Sequence, residues 1–139
     1  MGYDKTVVPV SKSQDGIRKM IYAHKGTGIS FISQPPREGL EAMMTINQTP
    51  YLVRIMATCR KVQFDIEQEE RRVWRVLFWH LKAVFESADS GVIDIRDVIM
   101  PYVVTPDGKT LAERIIPKLE MVLRNPDRLL PADVNEAQG

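Results

Sequence analysis

One long stretch of the chain has the apolar spacing of an amphipathic helix. Between residues 65 and 91, apolar side chains recur every three or four positions, so they share one face of a helix with about 3.6 residues per turn. Such a stripe is wide enough to cover the core of a small domain. Asp65 and Gly91 are of the residue types that cap helix ends. With Leu77 at the centre, the face and its aromatic flank comprise Ile66, Val73, Trp74, Phe78, Leu81, Val84, Phe85 and Ala88.

Alternation of apolar and polar residues predicts three β-strands ahead of this helix. They cover residues 29–34, 40–46 and 51–57, and turns are predicted at 35–39 and 48–50. Connections this short join antiparallel neighbours, so the strands form a meander. The β-branched run at residues 6–10 is a candidate fourth strand at an edge of the sheet, because its proline cannot donate to a ladder.

Shorter helices are predicted on both sides of these elements. Ser11 and Gln14 form a capping-box pattern that opens a first helix, which ends near Gly26. After the long helix, residues 94–102 have the pattern of a short helix. A tight turn at 106–108 then leads to a last helix from Thr110, with Glu113 completing a second capping box. This helix extends to about residue 124, with a kink or a break expected at its internal proline, residue 117.

Together these elements predict an α+β fold. It comprises an antiparallel three- to four-stranded meander, a long helix packed on it, and a helical C-terminal third. A length of 139 residues with 44% hydrophobic residues is enough for one core. We therefore expect a single domain over residues 1–131 and a flexible C-terminal tail over residues 132–139.

Net charge and cysteine content limit the cellular setting. The formal net charge is +1, but residues 1–64 carry nine Lys/Arg against four Asp/Glu, while residues 65–139 carry ten against fourteen. The two halves either face different partners or attract each other within one fold. Cys59 is the only cysteine, and no apolar run is long enough to span a membrane. These features predict a cytoplasmic protein without membrane contact.

The sequence shows no pattern of catalytic or metal-binding residues. His24 and His80 are the only histidines, and no Cys, Asp or Glu joins them at the spacing of metal ligands. No glycine-rich phosphate loop or nucleophile motif is present, and Cys59 has no histidine partner in the pattern. We therefore expect a protein that is not an enzyme and that uses neither a cofactor nor a metal ion.

The far side of the long helix carries an unusual group of residues. Trp79 points almost opposite the core-facing stripe, and Arg72, Arg75 and Lys82 lie around it. An aromatic side chain among cations is typical of surfaces that stack bases and bind phosphates. It is equally typical of protein interfaces, in which Trp and Arg dominate the binding energy. These four residues are the predicted nucleic-acid or partner-binding site.

A structural explanation for Trp79 stays open beside the two functional ones. Val76, Trp79 and Ala83 could form a second apolar strip that the C-terminal helix covers. The order helix, three strands, helix is also that of double-stranded-RNA-binding domains. Those domains start their second helix with lysines, whereas Glu67, Glu69 and Glu70 stand there in this chain. The analogy is therefore one of element order only.

Three segments of the chain carry a family resemblance. They are Thr6-Val7-Val8-Pro9-Val10-Ser11-x-Ser13-Gln14-x-x-Ile17, Val104-Thr105-Pro106-Asp107-Gly108-Lys109-Thr110 with Glu113, and Leu129-Leu130-Pro131. Together they resemble a family of uncharacterised proteins of about this length encoded by bacteriophages and prophages. The resemblance spans nearly the whole chain, but its motifs are those of turns and helix caps. The family has no settled activity, so the resemblance implies no functional residues and only a mobile-element context in a bacterial host cell.

These observations lead to one functional hypothesis and one alternative. The hypothesis is a non-enzymatic accessory protein of a phage or prophage that binds nucleic acid in DNA metabolism. The alternative is a protein–protein interaction module that binds itself or a host or phage protein. The same four residues, Arg72, Arg75, Trp79 and Lys82, serve both hypotheses.

Overall fold

A computed structural model describes residues 5–125 of the chain. Within this range the fold is α+β, as the sequence pattern predicts, with a three-stranded antiparallel sheet and a helical C-terminal part. The predicted tail at residues 132–139 lies outside the described range. In chain order the elements are α1 (Val10–Ala23), β1 (Gly26–Gln34), β2 (Arg37–Ile46), β3 (Thr49–Thr58), α2 (Ile66–Asp89), α3 (Ile95–Ile99), a 3₁₀ turn (Met100–Tyr102) and α4 (Leu111–Leu123).

The sheet is a meander with the order β1-β2-β3 and two tight hairpins. A two-residue turn joins β1 to β2, because Gln34 pairs directly with Arg37. The second turn lies earlier than the predicted 48–50. Asn47 and Gln48 occupy it with φ angles of 50° and 67°, and Pro50 already belongs to β3. Positive φ at both central positions gives the turn a twist that matches that of the flanking strands.

The predicted fourth strand at residues 6–10 is wrong, and so is the capping box after it. Residues 6–9 have no regular structure, and α1 begins at Val10 with Pro9 as its N-cap and no side-chain cap bond. The segment runs along α2 and not along the sheet, since the side-chain amide of Gln68 donates to the backbone carbonyl of Thr6 at 2.9 Å. A proline with fixed φ suits the entry to a helix at least as well as an edge strand.

A different segment reaches the edge of the sheet at β3. Val103 forms an isolated antiparallel bridge with Val53, and the backbone N–H of Val104 donates to the carbonyl of Leu52 at 2.7 Å. This bridge is too short to count as a fourth strand. It nevertheless ties the C-terminal part of the chain to the sheet.

The hydrophobic core lies between one face of the sheet and the helices α1 and α2. The predicted face of α2 is confirmed for its central residues, since Leu77 and Leu81 are 4% and 2% exposed. Ile66 is an exception at 62% exposed, because Glu69 takes the inward position in the first turn of α2. The buried apolar residues are Ile17, Ile21, Leu40, Ala42, Met44, Ile46, Val53, Ile55, Val73, Trp74, Leu77, Leu81, Phe85 and Ile99.

Helices α1 and α2 lie side by side and run in the same direction. Ser13 meets Arg75 near the start of the pair, and His24 meets Asp89 near its end. Between them, α1 presents Gly16 to the ring of Phe78. A Cβ atom at residue 16 would lie 2.5 Å and 2.9 Å from two ring carbons. The absence of a side chain at this glycine therefore allows the two helices to approach closely.

We expect Gly16→Ala to destabilise the protein by about 1–2 kcal/mol, because the added methyl group must displace the Phe78 ring. Helix propensity alone predicts the opposite sign, since alanine is favoured over glycine by about 1 kcal/mol inside a helix. Urea unfolding measures the difference. Gly28→Ala is the matched control, because a Cβ atom there would meet nothing within 4 Å. A Gly16→Ala variant more stable than the wild type would contradict the close approach.

The C-terminal part consists of short elements joined by capped turns. The helix predicted at 94–102 divides into α3, which Asp94 caps by accepting from the Arg96 N–H, and the 3₁₀ turn. Gly108 has a φ of 85°, as the predicted tight turn requires. The second capping box is confirmed: the Thr110 hydroxyl accepts from the Glu113 N–H, and the Glu113 carboxylate accepts from the Thr110 N–H.

Helix α4 follows this cap and extends away from the sheet. It continues through Pro117 without a break, so one of the two expectations at this proline is wrong, and the other, a kink, stays a prediction. None of its residues is buried, and every residue from Glu113 to Asn125 is exposed. An amphipathic helix with both faces in solvent is unusual, because most helices gain their stability from packing.

Candidate functional site

The structure places Trp79 on the outer side of α2, in partial contact with solvent. Its exposed fraction is 39%, that of Val76 is 38%, and Ala83 is exposed as well. Helix α4 therefore does not cover this strip, which removes the structural explanation that involved it. A large aromatic side chain in this position is available to a partner.

Two cations lie against the ring of Trp79. The Lys82 Nζ is 4.7 Å from the ring centroid, and the Arg75 Cζ is 5.7 Å from it. Phe78 meets the same ring edge-on at 5.4 Å between centroids. Cations over an indole ring are held by its quadrupole. The arrangement keeps positive charge next to an exposed aromatic surface.

Arg75 also belongs to the contact between α1 and α2. Its Cζ lies 4.2 Å from the centroid of Phe78, and its Nη1 donates to the Oγ of the buried Ser13 at 3.4 Å. The guanidinium thus packs over the aromatic ring that fills the space beside Gly16. Its replacement would affect both the surface and the helix pair.

Arg72 lies one turn before Arg75 in α2, but its guanidinium is bound by a buried carboxylate. Its Nε and Nη2 each donate to an oxygen of Glu69 at 2.8 Å, and its side chain is only 19% exposed. The structure therefore brings together Arg75, Trp79 and Lys82 but assigns Arg72 to an internal ion pair. A cation on the polar side of a helix looks available in the sequence until its partner is known.

Glu69 is a buried carboxylate that the sequence pattern did not single out. It is 3% exposed and also accepts the backbone N–H of Arg60 at 2.6 Å and the Arg60 guanidinium at 3.0 Å. Hydrogen bonds from Arg72 and then from Arg60 lower the pKa of Glu69 to about 2, against the opposing effect of burial. The sequence contained one signal of this burial: Glu69 lies four residues before Val73, so it shares the buried side of α2.

Two lysines of α1 extend the cationic surface. Lys12 and Lys19 lie four residues before and three residues after Gly16, so both flank the contact with α2 on its solvent side, and both are exposed. Together with Arg75, Trp79 and Lys82 they form what we call the α1–α2 surface. The sequence did not indicate this group, because it depends on the pairing of two helices that are distant in the chain.

Both histidines have structural partners. The Nδ1 of His24 lies 2.6 Å from the carbonyl oxygen of Met20, and its Nε2 lies 2.9 Å from a carboxylate oxygen of Asp89. The Nε2 of His80 lies 2.8 Å from the hydroxyl of Tyr102. These bonds join the helices to their neighbours.

Cys59 is partly buried at the end of β3. Burial, and then the charges of Glu38 and Glu69, raise the pKa of its thiol above the ordinary value. A thiol that stays protonated is a poor nucleophile. Among residues 5–125, no group of three or more His, Cys, Asp or Glu side chains could hold a metal ion. In the same range no helix combines the length and apolarity needed to cross a bilayer.

Comparisons with known proteins do not identify a relative. No protein-family model, no curated protein and no solved structure matches the chain. The order α1-β1-β2-β3-α2 agrees with that of double-stranded-RNA-binding domains, but α2 begins with Glu67 and Glu69 where those domains carry lysines. The α1–α2 surface is therefore interpreted from its own geometry.

Proposed function

We propose that this protein is a non-enzymatic binding protein whose α1–α2 surface binds nucleic acid. The observation that carries the proposal is the 39% exposed Trp79 with Arg75 and Lys82 against its ring. Surfaces that bind nucleic acid combine cations for the phosphates with aromatic rings for the bases. The sequence resemblance adds a mobile-element context in a bacterial host cell. We further propose that the binding serves DNA metabolism of a phage or prophage in the cytoplasm of that cell.

The charge of the surface supports a polyanionic partner. Four cations, from Lys12 and Lys19 of α1 and from Arg75 and Lys82 of α2, lie along two parallel helices. Glu86 offsets one of them, since its carboxylate lies 3.9 Å from the Lys82 Nζ. Phosphates bound here would displace counterions, so the affinity should fall as the salt concentration rises.

A protein partner is the second candidate, and one observation favours it. Arg75 and Lys82 already lie against the Trp79 ring, so part of the surface that a base would stack on is in contact with the protein's own cations. A tryptophan flanked by cationic side chains is common at the centre of protein interfaces. In this second candidate function, Arg75, Trp79 and Lys82 bind a protein and not a nucleic acid.

Binding of labelled single- and double-stranded DNA and RNA across a salt series tests the first candidate. We expect Trp79→Ala to weaken binding about tenfold or more, because stacking contributes roughly 1–3 kcal/mol per base. Lys82→Ala should reduce the salt slope by about 1. Lys118→Ala removes an exposed cation of α4, outside the α1–α2 surface, and is the matched control.

Three results would count against this proposal. The first is no salt-dependent binding to any of the four nucleic acids. The second is wild-type affinity in both Trp79→Ala and Lys82→Ala. The third is a loss of about 3 kcal/mol or more of stability in Trp79→Ala, as expected for a core aromatic. If the partner is a protein, both variants lose a protein complex and keep whatever weak nucleic-acid affinity the wild type has.

A further inference from the structure

Helix α4 carries an apolar stripe that no described residue covers. At 100° per residue the stripe occupies an arc of about 120° centred on Leu119. Its large side chains are between 38% and 55% exposed: Ile115, Ile116, Leu119, Val122 and Leu123. A helix of 13 residues with an internal proline is marginal in water without packing. We therefore expect another surface to pack against the stripe.

The sheet offers a second uncovered surface. Helices α1 and α2 pack on one face, and the opposite face, which we call the open face, carries no described helix. Partly buried apolar side chains point to it from all three strands: Ile32, Met43, Leu52 and Met56. Two shallow hollows of about 430 Å³ and 290 Å³ lie along this face. The charged side chains of Arg37, Glu41 and Arg54 share this face, and Glu41 and Arg54 form an ion pair at 3.1 Å. A sheet face that carries apolar side chains and no second layer favours one.

The stripe of α4 and the open face fit each other in width and length. A stripe of this width is typical of a helix that lies on a sheet or core, since a two-helix seam uses a narrower one. Thirteen residues of helix extend about 20 Å, and strands of ten residues extend about 33 Å.

Only the first turn of helix α4 reaches the open face of its own chain. Glu113, in its first turn, lines the smaller hollow together with Arg37 and Arg54. The guanidinium of Arg54 also donates to the carbonyl of Gly108 at 2.8 Å, which holds the preceding turn at the sheet. From Glu113 onwards the helix is exposed. It therefore starts beside the open face and leaves it.

We propose that α4 is an arm that covers the open face of a second copy of this chain, which covers the first copy's face in return. Such an exchange uses the same two surfaces twice and closes on a two-fold axis. The five large side chains of the stripe are about half exposed, so docking would bury roughly 500 Å² of each arm. Two arms and the two open faces that they cover would together bury about 2,000 Å², the size of a stable interface.

The remaining chain is a weaker candidate for the occupant. Residues 126–139 contain three large apolar residues, Leu129, Leu130 and Val134, and two prolines. That is less apolar material than either the stripe or the open face requires. A second copy supplies both surfaces at once, and this proposal does not depend on nucleic-acid binding.

Sedimentation velocity of the full chain over a wide concentration range tests the proposal. We expect a dimer that Leu119→Glu, at the centre of the stripe, weakens by at least tenfold in dissociation constant. Lys118→Glu adds a negative charge at the neighbouring position outside the stripe and should leave the dimer intact. Met43→Glu, on the open face, should weaken it like Leu119→Glu. Circular dichroism verifies that each variant is folded.

Disulfide crosslinking in a Cys59→Ser background distinguishes arm-on-sheet from arm-on-arm contact. Chains with Leu119→Cys should crosslink to chains with Met43→Cys and not to each other. The proposal is overturned by a wild-type monomer at all concentrations, by a dimer that resists Leu119→Glu, or by crosslinks between two Leu119→Cys chains. Nucleic-acid binding by the Leu119→Glu variant reports separately on the α1–α2 surface.

Discussion

Replacing Glu69 with glutamine should lower the free energy of unfolding by about 3 kcal/mol at pH 7. The carboxylate is 3% exposed and is bound by the guanidinium groups of Arg60 and Arg72 and by the Arg60 backbone N–H. Its pKa of about 2 lies well below the ordinary 4.5, and each unit of difference corresponds to about 1.4 kcal/mol. Glutamine keeps the size of the side chain and removes the charge that both arginines neutralise.

The effect of Glu69→Gln should depend on pH in a defined direction. Because the pKa is lower in the folded than in the unfolded chain, the stabilisation is fully present above about pH 4.5 and is lost as the pH falls towards 2. Urea unfolding from pH 7 to pH 2.5 should therefore show the two proteins converging. Glu67→Gln, at an exposed position in the same turn, should change stability by less than about 0.5 kcal/mol. A difference that is constant with pH would exclude the ion pair as its cause.

Leu81→Ala should cost about 2–5 kcal/mol, enough to unfold a marginal domain. Leu81 is 2% exposed in the middle of the stripe by which α2 covers the sheet. Truncation would leave a cavity among rigid neighbours from both layers. Val76→Ala on the exposed side of the same helix is the control, with an expected change below about 1 kcal/mol. An unchanged melting temperature in Leu81→Ala would refute the assignment of the buried face.

The sheet and the long helix are predictable because their signals are local. In β2, Leu40, Ala42 and Met44 alternate with Glu41, Met43 and Thr45, and the first three are buried. The turns at their ends are less predictable, since Pro50 suggests a turn but occupies the first part of β3. Apolar residues recur every two residues in a strand and every 3.6 residues in a helix whenever one face of the element is buried, whatever packs against it.

The residues that the sequence misjudged depend on distant contacts. Arg72 looked available for a ligand, and its partner Glu69 looked like an ordinary helix-start acid. Only the approach of Arg60, from the loop before α2, explains why that acid is buried. The lysines of the α1–α2 surface likewise gain their meaning from a helix pairing that no local pattern encodes.

Helix α4 shows a related limit of local signals. Its capping box predicted a helix correctly, but a cap does not identify the layer that covers the apolar face of the helix. The chain stays helical through Pro117, which lies nearly opposite Leu119, on the side of the helix away from the stripe. Water on that side can satisfy the carbonyl group that loses its partner.

The parallel pairing of α1 and α2 has a consequence for the order of folding. The bond between Ser13 and Arg75 closes a loop of 62 residues, whereas the two hairpins close over turns of two residues. Chain entropy therefore favours the meander and α2 early and the docking of α1 late. Helix α1, weakened by Gly16 and without a side-chain cap, contributes little before it docks. The contacts of α1 should therefore mainly lower the unfolding rate and leave the refolding rate almost unchanged.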